Sequence, residues 1–332
     1  MNSRVIHLFA MMVILVCAQT PVSASELHIT ATLPALGQIA QGVAGKFGEV
    51  KVLAHIGQDP HFVPPKPTLA RHLTHADLLI AAGLGLEIGW LPPLLEAAGN
   101  DNIRPGGSGY LDGTQVLAEV LGKPQGKITR ALGDIHPEGN PHWYIDPINA
   151  VRLAQALAER LAVLDPGHAV VFRQNAANFA RDVQARMPGW QTALQDLSPL
   201  VSYHDSYLYL VQRFGLKVID FVEPKPGIEP STAHLDMLVG ELQKGSATTL
   251  WMEPYHDGKT ARKVCELGHI LCRVMPDSIQ GDGFAGYLHL IDVMQRISAP
   301  MIGGMLSTTI LCLIVLPAIY SQLLQWQEAR KR

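Results

Sequence analysis

The apolar positions of this chain fall into short, nearly continuous runs separated by longer amphipathic stretches. Residues 27–33, 50–56 and 77–82 in the first half are mostly apolar throughout, as are 200–204, 216–221, 248–252 and 270–275 in the second. That is the pattern of parallel strands covered on both faces. Segments with helical spacing, such as 69–75 and 235–244, alternate with them. The predicted class is α/β, with two halves alike in kind.

A long helical stretch separates the halves. Residues 147–164 place Val151, Leu153, Ala154, Leu157 and Leu161 on a helical period. Asp165-Pro166 then breaks and restarts the chain, with Asp165 a candidate N-cap. From 167 to 197 the pattern is helical again, interrupted by Pro188-Gly189. An interior proline costs ~3 kcal/mol unless the helix kinks or ends there. A long, stiff connector over 166–197 is therefore expected, kinked or broken near Met187.

Both termini differ from the body. Arg4, an apolar run over 8–17 and the small residues Val22-Ser23-Ala24 read as a secretory signal, so residues 1–24 are expected to be removed. Residues 301–324 contain no charged side chain, and the chain ends Arg330-Lys331-Arg332. Such a run is long enough to cross ~30 Å of hydrocarbon as a helix, and the basic end predicts a cytoplasmic tail. The expected division is an N-terminal lobe over 25–165, the connector over 166–197, and a C-terminal lobe over 198–299. A transmembrane helix over 300–324 and a tail over 325–332 follow.

Composition narrows the function. With 332 residues, 48% hydrophobic and 17% charged, the chain can bury two sizeable cores, and disorder is not expected. A net charge of −3 with no basic face gives no sign of a nucleic-acid partner. Of four cysteines, Cys17 lies in the signal and Cys312 in the apolar tail. Cys265 and Cys272 are left, and an oxidising compartment permits but does not require a bridge between them. Fourteen histidines, several in turn-like contexts, point towards metal.

Four positions share one context. His61 follows the second apolar run, His142 sits in the loop "GDIHPEGNPHWYIDP", His204 ends "PLVSYH" and Asp277 follows "ILCRVMP". Ligands of open α/β sheets bind beyond the carboxyl ends of strands, and two facing sheets would bring these four together. Three imidazoles and a carboxylate suit Zn2+, and the nitrogen-rich set favours it over Mn2+, the alternative. Singly, each has a plainer reading: a loop histidine is usually a surface residue, and an Asp after a strand usually caps a turn.

In order from about 28 to 294, "PALGQIAQGVAG", "DPHFVPPKP", "ADLLIAAGLGLE", "NPHWYIDP", "VSYHDSYLYLVQRFGL", "GIEPS" and "MPDSIQGDGFAGYLHLIDVM" resemble the zinc/manganese solute-binding proteins of bacterial ABC importers, cluster A-I, zinc type. The resemblance implies two (β/α)4-like lobes joined by a long rigid helix, with a metal site in the interlobe cleft. It carries the ligand roles onto His61, His142, His204 and Asp277. The implied function is high-affinity periplasmic capture of Zn2+ and delivery to an importer's membrane permease by a monomeric chain that is not an enzyme.

Two features depart from the family. Its long His-rich acidic insert is missing, and His136 and Glu138 are candidates for a share of that work at the rim. The family's last helix gives way to "ISAPMIGGMLSTTILCLIVLPAIYSQLL", which resembles the last transmembrane helix of heavy-metal resistance-nodulation-division efflux pumps. Such a tail would tether the body to the inner membrane. It leaves a membrane-tethered metal buffer or sensor, or an adhesin-like surface protein, as alternatives. A zinc hydrolase ranks below both, because there is no HExxH and four protein ligands would close the site.

Other candidates are auxiliary. Asp59 and Asp205 adjoin ligand histidines and could orient them. Glu253 and His256 could stand behind the ligands, and Asp282 could replace Asp277. The Gly83-Leu84-Gly85 string lacks a dinucleotide fingerprint and reads as a turn.

Overall fold

The computed structural model describes residues 26–124 and 136–298, apart from 196, 198, 226 and 257. The expected signal peptide, transmembrane helix and cytoplasmic tail lie outside the described residues. Among the described residues, no helix is long and apolar enough to cross a membrane.

The first half contains β1 (Leu27–Ala31), α1 (Pro34–Ala44), β2 (Gly48–Val52), α2 (Pro67–Thr74), β3 (Leu78–Ala81), α3 (Leu91–Ala98) and β4 (Tyr110–Asp112). Its four strands pair in parallel in the order β2-β1-β3-β4. β4 was not legible in the sequence: it is three residues long and follows the glycine-rich Gly106-Gly107-Ser108-Gly109.

Two helices follow. α4 (Pro147–Leu164) starts where sequence chemistry places it. Pro147 occupies the first turn, and the Asp146 side chain accepts from the Ile148 amide at 3.0 Å. Asp165 makes no such cap. Its carboxylate instead faces His168 Nδ1 at 2.5 Å, so the ring competes for the oxygen that a cap would use. α5 (Ala169–Gln195) runs for 27 residues and stays helical through Pro188. Phe172, Ala176, Phe179, Val183, Trp190 and Leu194 form its buried stripe. Packing along that stripe offsets the local cost of the proline.

The second half repeats the first in β5 (Leu200–Ser202), α6 (Leu208–Phe214), β6 (Val218–Phe221), α7 (Thr232–Gln243), β7 (Thr249–Met252), α8 (Gly258–Gly268), β8 (Leu271–Val274) and α9 (Gly283–Ser298). Its sheet is also all parallel, in the order β6-β5-β7-β8. A disulfide between Cys265 and Cys272 ties α8 to β8.

The lobes are stitched together rather than merely linked. The main apolar core runs from β1 through α4 and α5 to Trp251, Met275 and Tyr287, while a smaller one lies under α7 and α8. α9 returns to the first lobe, where Phe284 stacks on Phe179 with ring centroids 4.2 Å apart. A Cβ on Gly42 would come within 2.5 Å of the Phe284 ring, so only glycine lets α9 approach this closely. Gln38 Nε2 donates to the carbonyls of Ile279 and Gly281, and the Tyr287 hydroxyl donates to the Tyr144 carbonyl.

Candidate metal centre

Each of three histidines is held by its own neighbours. His61 lies on the loop between β2 and α2. That loop is anchored by Trp90 Nε1, which donates to the Pro60 carbonyl at 2.9 Å. Asp59 Oδ1 accepts from the His61 amide at 2.9 Å and from its Nδ1 at 2.8 Å. Burial opposes the charge on Asp59, but the hydrogen bonds and charge of His61 outweigh it and hold the carboxyl below its ordinary range.

His142 sits just before the Trp143–Ile145 turn. Its amide donates to Asn140 Oδ1, while Asn140 Nδ2 donates to the Asp205 carbonyl in the second lobe. Trp143 Nε1 reaches back to the Ala82 carbonyl at 2.9 Å. The His142 ring is buried, with Nδ1 3.3 Å from the Tyr144 hydroxyl and Nε2 without a hydrogen-bond partner. Burial, reinforced by His61 and His204, lowers its pKa well below the ordinary histidine value. A buried, neutral, unpartnered nitrogen is costly unless something accepts its lone pair.

His204 follows β5, and its Nε2 is 3.0 Å from Asp205 Oδ1. Burial alone would lower its pKa, but the hydrogen bond and charge of Asp205 prevail and raise it to about 9. Asp205 is correspondingly held well below the usual carboxylate range, burial notwithstanding.

The three imidazoles converge. One nitrogen from each of His61, His142 and His204 lies within 4.8 Å of the other two. Ring centroids are separated by 5.1 Å (His61 to His142), 5.7 Å (His142 to His204) and 6.1 Å (His61 to His204). Two ligand candidates thus come from the first half of the chain and one from the second. A cavity of about 150 Å³ opens beside them, lined by Asp59, His61, Phe62, His204, Tyr255 and His256 among others.

Asp277 is not part of this group of three. It is buried, accepts from Ser278 Oγ at 3.0 Å, and burial raises its pKa to about 6. Glu253 is fully buried, with Oε2 3.2 Å from His256 Nε2. His256 stacks on Tyr203 and comes within 6.2 Å of His204, centroid to centroid. Asp282 lines a separate groove with Gln38 and Gln41. His136 contacts His61 directly, Nε2 to Nε2 at 3.2 Å, and burial followed by His61 lowers its pKa to about 4. Glu138 is exposed. Sequence reading missed Asn140, which ties the His142 backbone to the second lobe. Its position two residues before His142 is the spacing of a side-chain-closed turn.

The chain as a whole is similar to known proteins. Residues 29–296 match the family model "ZnuA: Zinc-uptake complex component A periplasmic". The chain is 26% identical over 283 residues to the "High-affinity zinc uptake system protein ZnuA" of Paracoccus denitrificans, covering 75% of this chain and 82% of that protein. It is 23% identical over 239 residues to the "Zinc-binding lipoprotein AdcA" of Streptococcus pneumoniae, covering 71% of this chain and 47%, about half, of that longer protein. Among solved structures, a ZnuA deletion mutant with zinc bound aligns with a TM-score of 0.67 at 20% identity, over 83% of this chain and 99% of the other. A Mn-bound periplasmic metal-binding protein from candidatus liberibacter asiaticus aligns at 0.65 and 19%, over 81% and 97%. At such identities the structural likenesses show the two-lobed fold alone. The family match spans most of the chain, and the chain belongs to the ZnuA family of periplasmic zinc-uptake components.

Proposed function

We propose that this protein captures Zn2+ in the periplasm, with His61, His142 and His204 as nitrogen ligands between its lobes, and hands the ion to the membrane permease of an ABC importer. The observation that carries the reading is the convergence of three imidazoles, one nitrogen of each within 4.8 Å of the others, with Nε2 of both His142 and His204 buried and lacking a hydrogen bond of good geometry. Tetrahedral zinc takes such nitrogens at ~2.0–2.1 Å. Asp59 and Asp205 support the reading as carboxylates that orient imidazoles from behind, the arrangement zinc histidines commonly have. Mn2+ is the alternative cargo. A relative has been solved with manganese bound, but a donor set rich in nitrogen favours zinc.

Capture rather than catalysis fits the membership in an uptake family. Tethering to the inner membrane through residues 301–324 is supported by the sequence of that segment, which has no charged side chain. Elemental analysis of the purified full chain tests the assignment of cargo. About one zinc per chain is expected after exposure to equimolar zinc and manganese. Manganese in excess of zinc would overturn it.

A further inference from the structure

Each lobe carries one buried glutamate in the segment beyond the third strand of its sheet order, β3 in the first lobe and β7 in the second. Their surroundings differ. Glu87 is fully bonded: it accepts from the Thr32 hydroxyl at 2.6 Å, the Ala82 amide at 2.7 Å and the Gly83 amide at 3.2 Å. Such a carboxyl pins the turn after β3, and its lone pairs are used.

Glu253 directly follows β7 and is 0% exposed, yet neither Oε1 nor Oε2 has a hydrogen-bond partner. Its Oε2 lies 3.2 Å from His256 Nε2, but the pair is not aligned for a hydrogen bond, and that nitrogen is also left without one. A carboxylate buried with no donor is among the most costly groups a protein can hold. In the first lobe the same cost is met by two amides and a hydroxyl. In the second lobe no donor of that kind meets it.

His256 links Glu253 to the metal centre, since its ring comes within 6.2 Å of His204 and lines the cavity beside His61 and His204. The charge of Glu253 accordingly acts on His204, on Tyr144 beside His142 and on Asp277. Three neutral imidazoles bring nothing to balance a dication. Asp59 and Asp205 are each engaged with a ring, and their side chains are 29% and 37% exposed, so solvent screens them. A single carboxylate ligand, such as Asp277, would still leave one positive charge on the centre.

We propose that Glu253 is the buried counter-charge of the loaded centre, an uncoordinated carboxylate that raises affinity for a divalent cation from behind the second lobe's ligands. This assignment rests on the capture function proposed above. Glu253 destabilises the empty protein, and a dication nearby offsets that cost, so the residue favours the loaded form. Because it acts through charge and not through a metal bond, it strengthens zinc and manganese alike.

Competitive titration of the full chain with Zn2+ and with Mn2+ is the test, alongside zinc X-ray absorption and thermal melting of the metal-stripped protein. Glu253→Gln and Glu253→Met both keep the length of the side chain and remove its charge. Each should weaken zinc at least ~10-fold, the usual cost of losing an outer partner. Each should weaken manganese by a similar factor, leave the zinc scatterers unchanged and, when metal-stripped, melt no lower than the wild type. Glu253→Asp retains the charge and should keep most of the affinity. Wild-type affinity in both neutral variants overturns the proposal, and so does melting below the wild type in both, which would make Glu253 a structural residue. A lost oxygen scatterer would make it a ligand, and weakening by Glu253→Asp equal to that of the neutral variants would make shape responsible; either result also overturns it. All of these leave zinc capture intact, whereas a wild-type chain that takes up no zinc overturns both.

Discussion

Asp59 Oδ1 lies 2.8 Å from His61 Nδ1 and also accepts from the His61 backbone amide, so one carboxylate oxygen fixes both the ring and the loop that carries it. His61 is left with only Nε2 to offer to its neighbours. The orientation of the ring is thus set before any metal arrives.

Asp59→Ala should therefore weaken zinc binding by ~10–100-fold, the usual cost of losing an outer partner of a metal histidine. The fold should be unaffected, because the carboxylate serves a loop rather than a core. Competitive titration against a chelating dye, with circular dichroism as the control, measures both. Unaltered affinity would show that Asp59 does not orient a ligand.

His204 supplies a pH dependence with a definite sign. Its pKa in the metal-free protein is raised to about 9 by Asp205, against ~6.5 in an unfolded chain. Stability from the His204–Asp205 pair is therefore fully present below about 6.5 and is lost as pH rises through about 9. Zinc must displace that proton, so apparent affinity should rise over the same window while metal-free stability falls. At pH 7 zinc binding should release about one proton from this residue, measurable by calorimetry in buffers of different ionisation enthalpy. Binding that releases no proton, with a melting temperature flat from pH 6.5 to 9, contradicts the assignment.

The Cys265–Cys272 bridge closes a loop with a sequence separation of 7. Loop-closure entropy gives such a short crosslink about 2 kcal/mol. Reduction, or the C265S/C272S double variant, should lower the melting temperature of the second lobe by a few degrees. Identical melting with and without reductant would mean that the bridge contributes nothing in solution.

Gly42→Ala tests the seam between the lobes. The added methyl meets the Phe284 ring, which is stacked on Phe179. Overpacking of this kind costs ~1–3 kcal/mol. The variant should lose stability and lose protection from hydrogen exchange in α9. A neutral effect on both would show that the seam can open at little cost.

Much of this arrangement was legible in the sequence, for identifiable reasons. Buried parallel strands such as Leu78–Ala81 and Thr249–Met252 are apolar without interruption, and Asp146-Pro147 announces a helix start by its chemistry. β4 was hidden because three residues carry no periodicity. Continuity of α5 through Pro188 was hidden because burial of residues on both sides of it is a tertiary effect that propensity does not contain. At the site, the three histidines were visible through their position beyond strand ends. The partners of His61 were not equally visible. Asp59 is two residues away, but His136 reaches it only through a loop closure of 75 residues. Asp277 was placed with the ligands because it too follows a strand. In the structure it is buried outside the group of three, with Oδ1 accepting from the neighbouring Ser278 hydroxyl.

The central claim is that His61, His142 and His204 hold zinc together, and titration of zinc into the metal-stripped full chain tests it most directly. One equivalent should bind the wild type tightly. His142→Ala and His204→Ala should each lose more than the ~10–100-fold expected for an outer partner, because each removes a donor from the trio. Equal affinity in the wild type and in His142→Ala or His204→Ala would contradict the account.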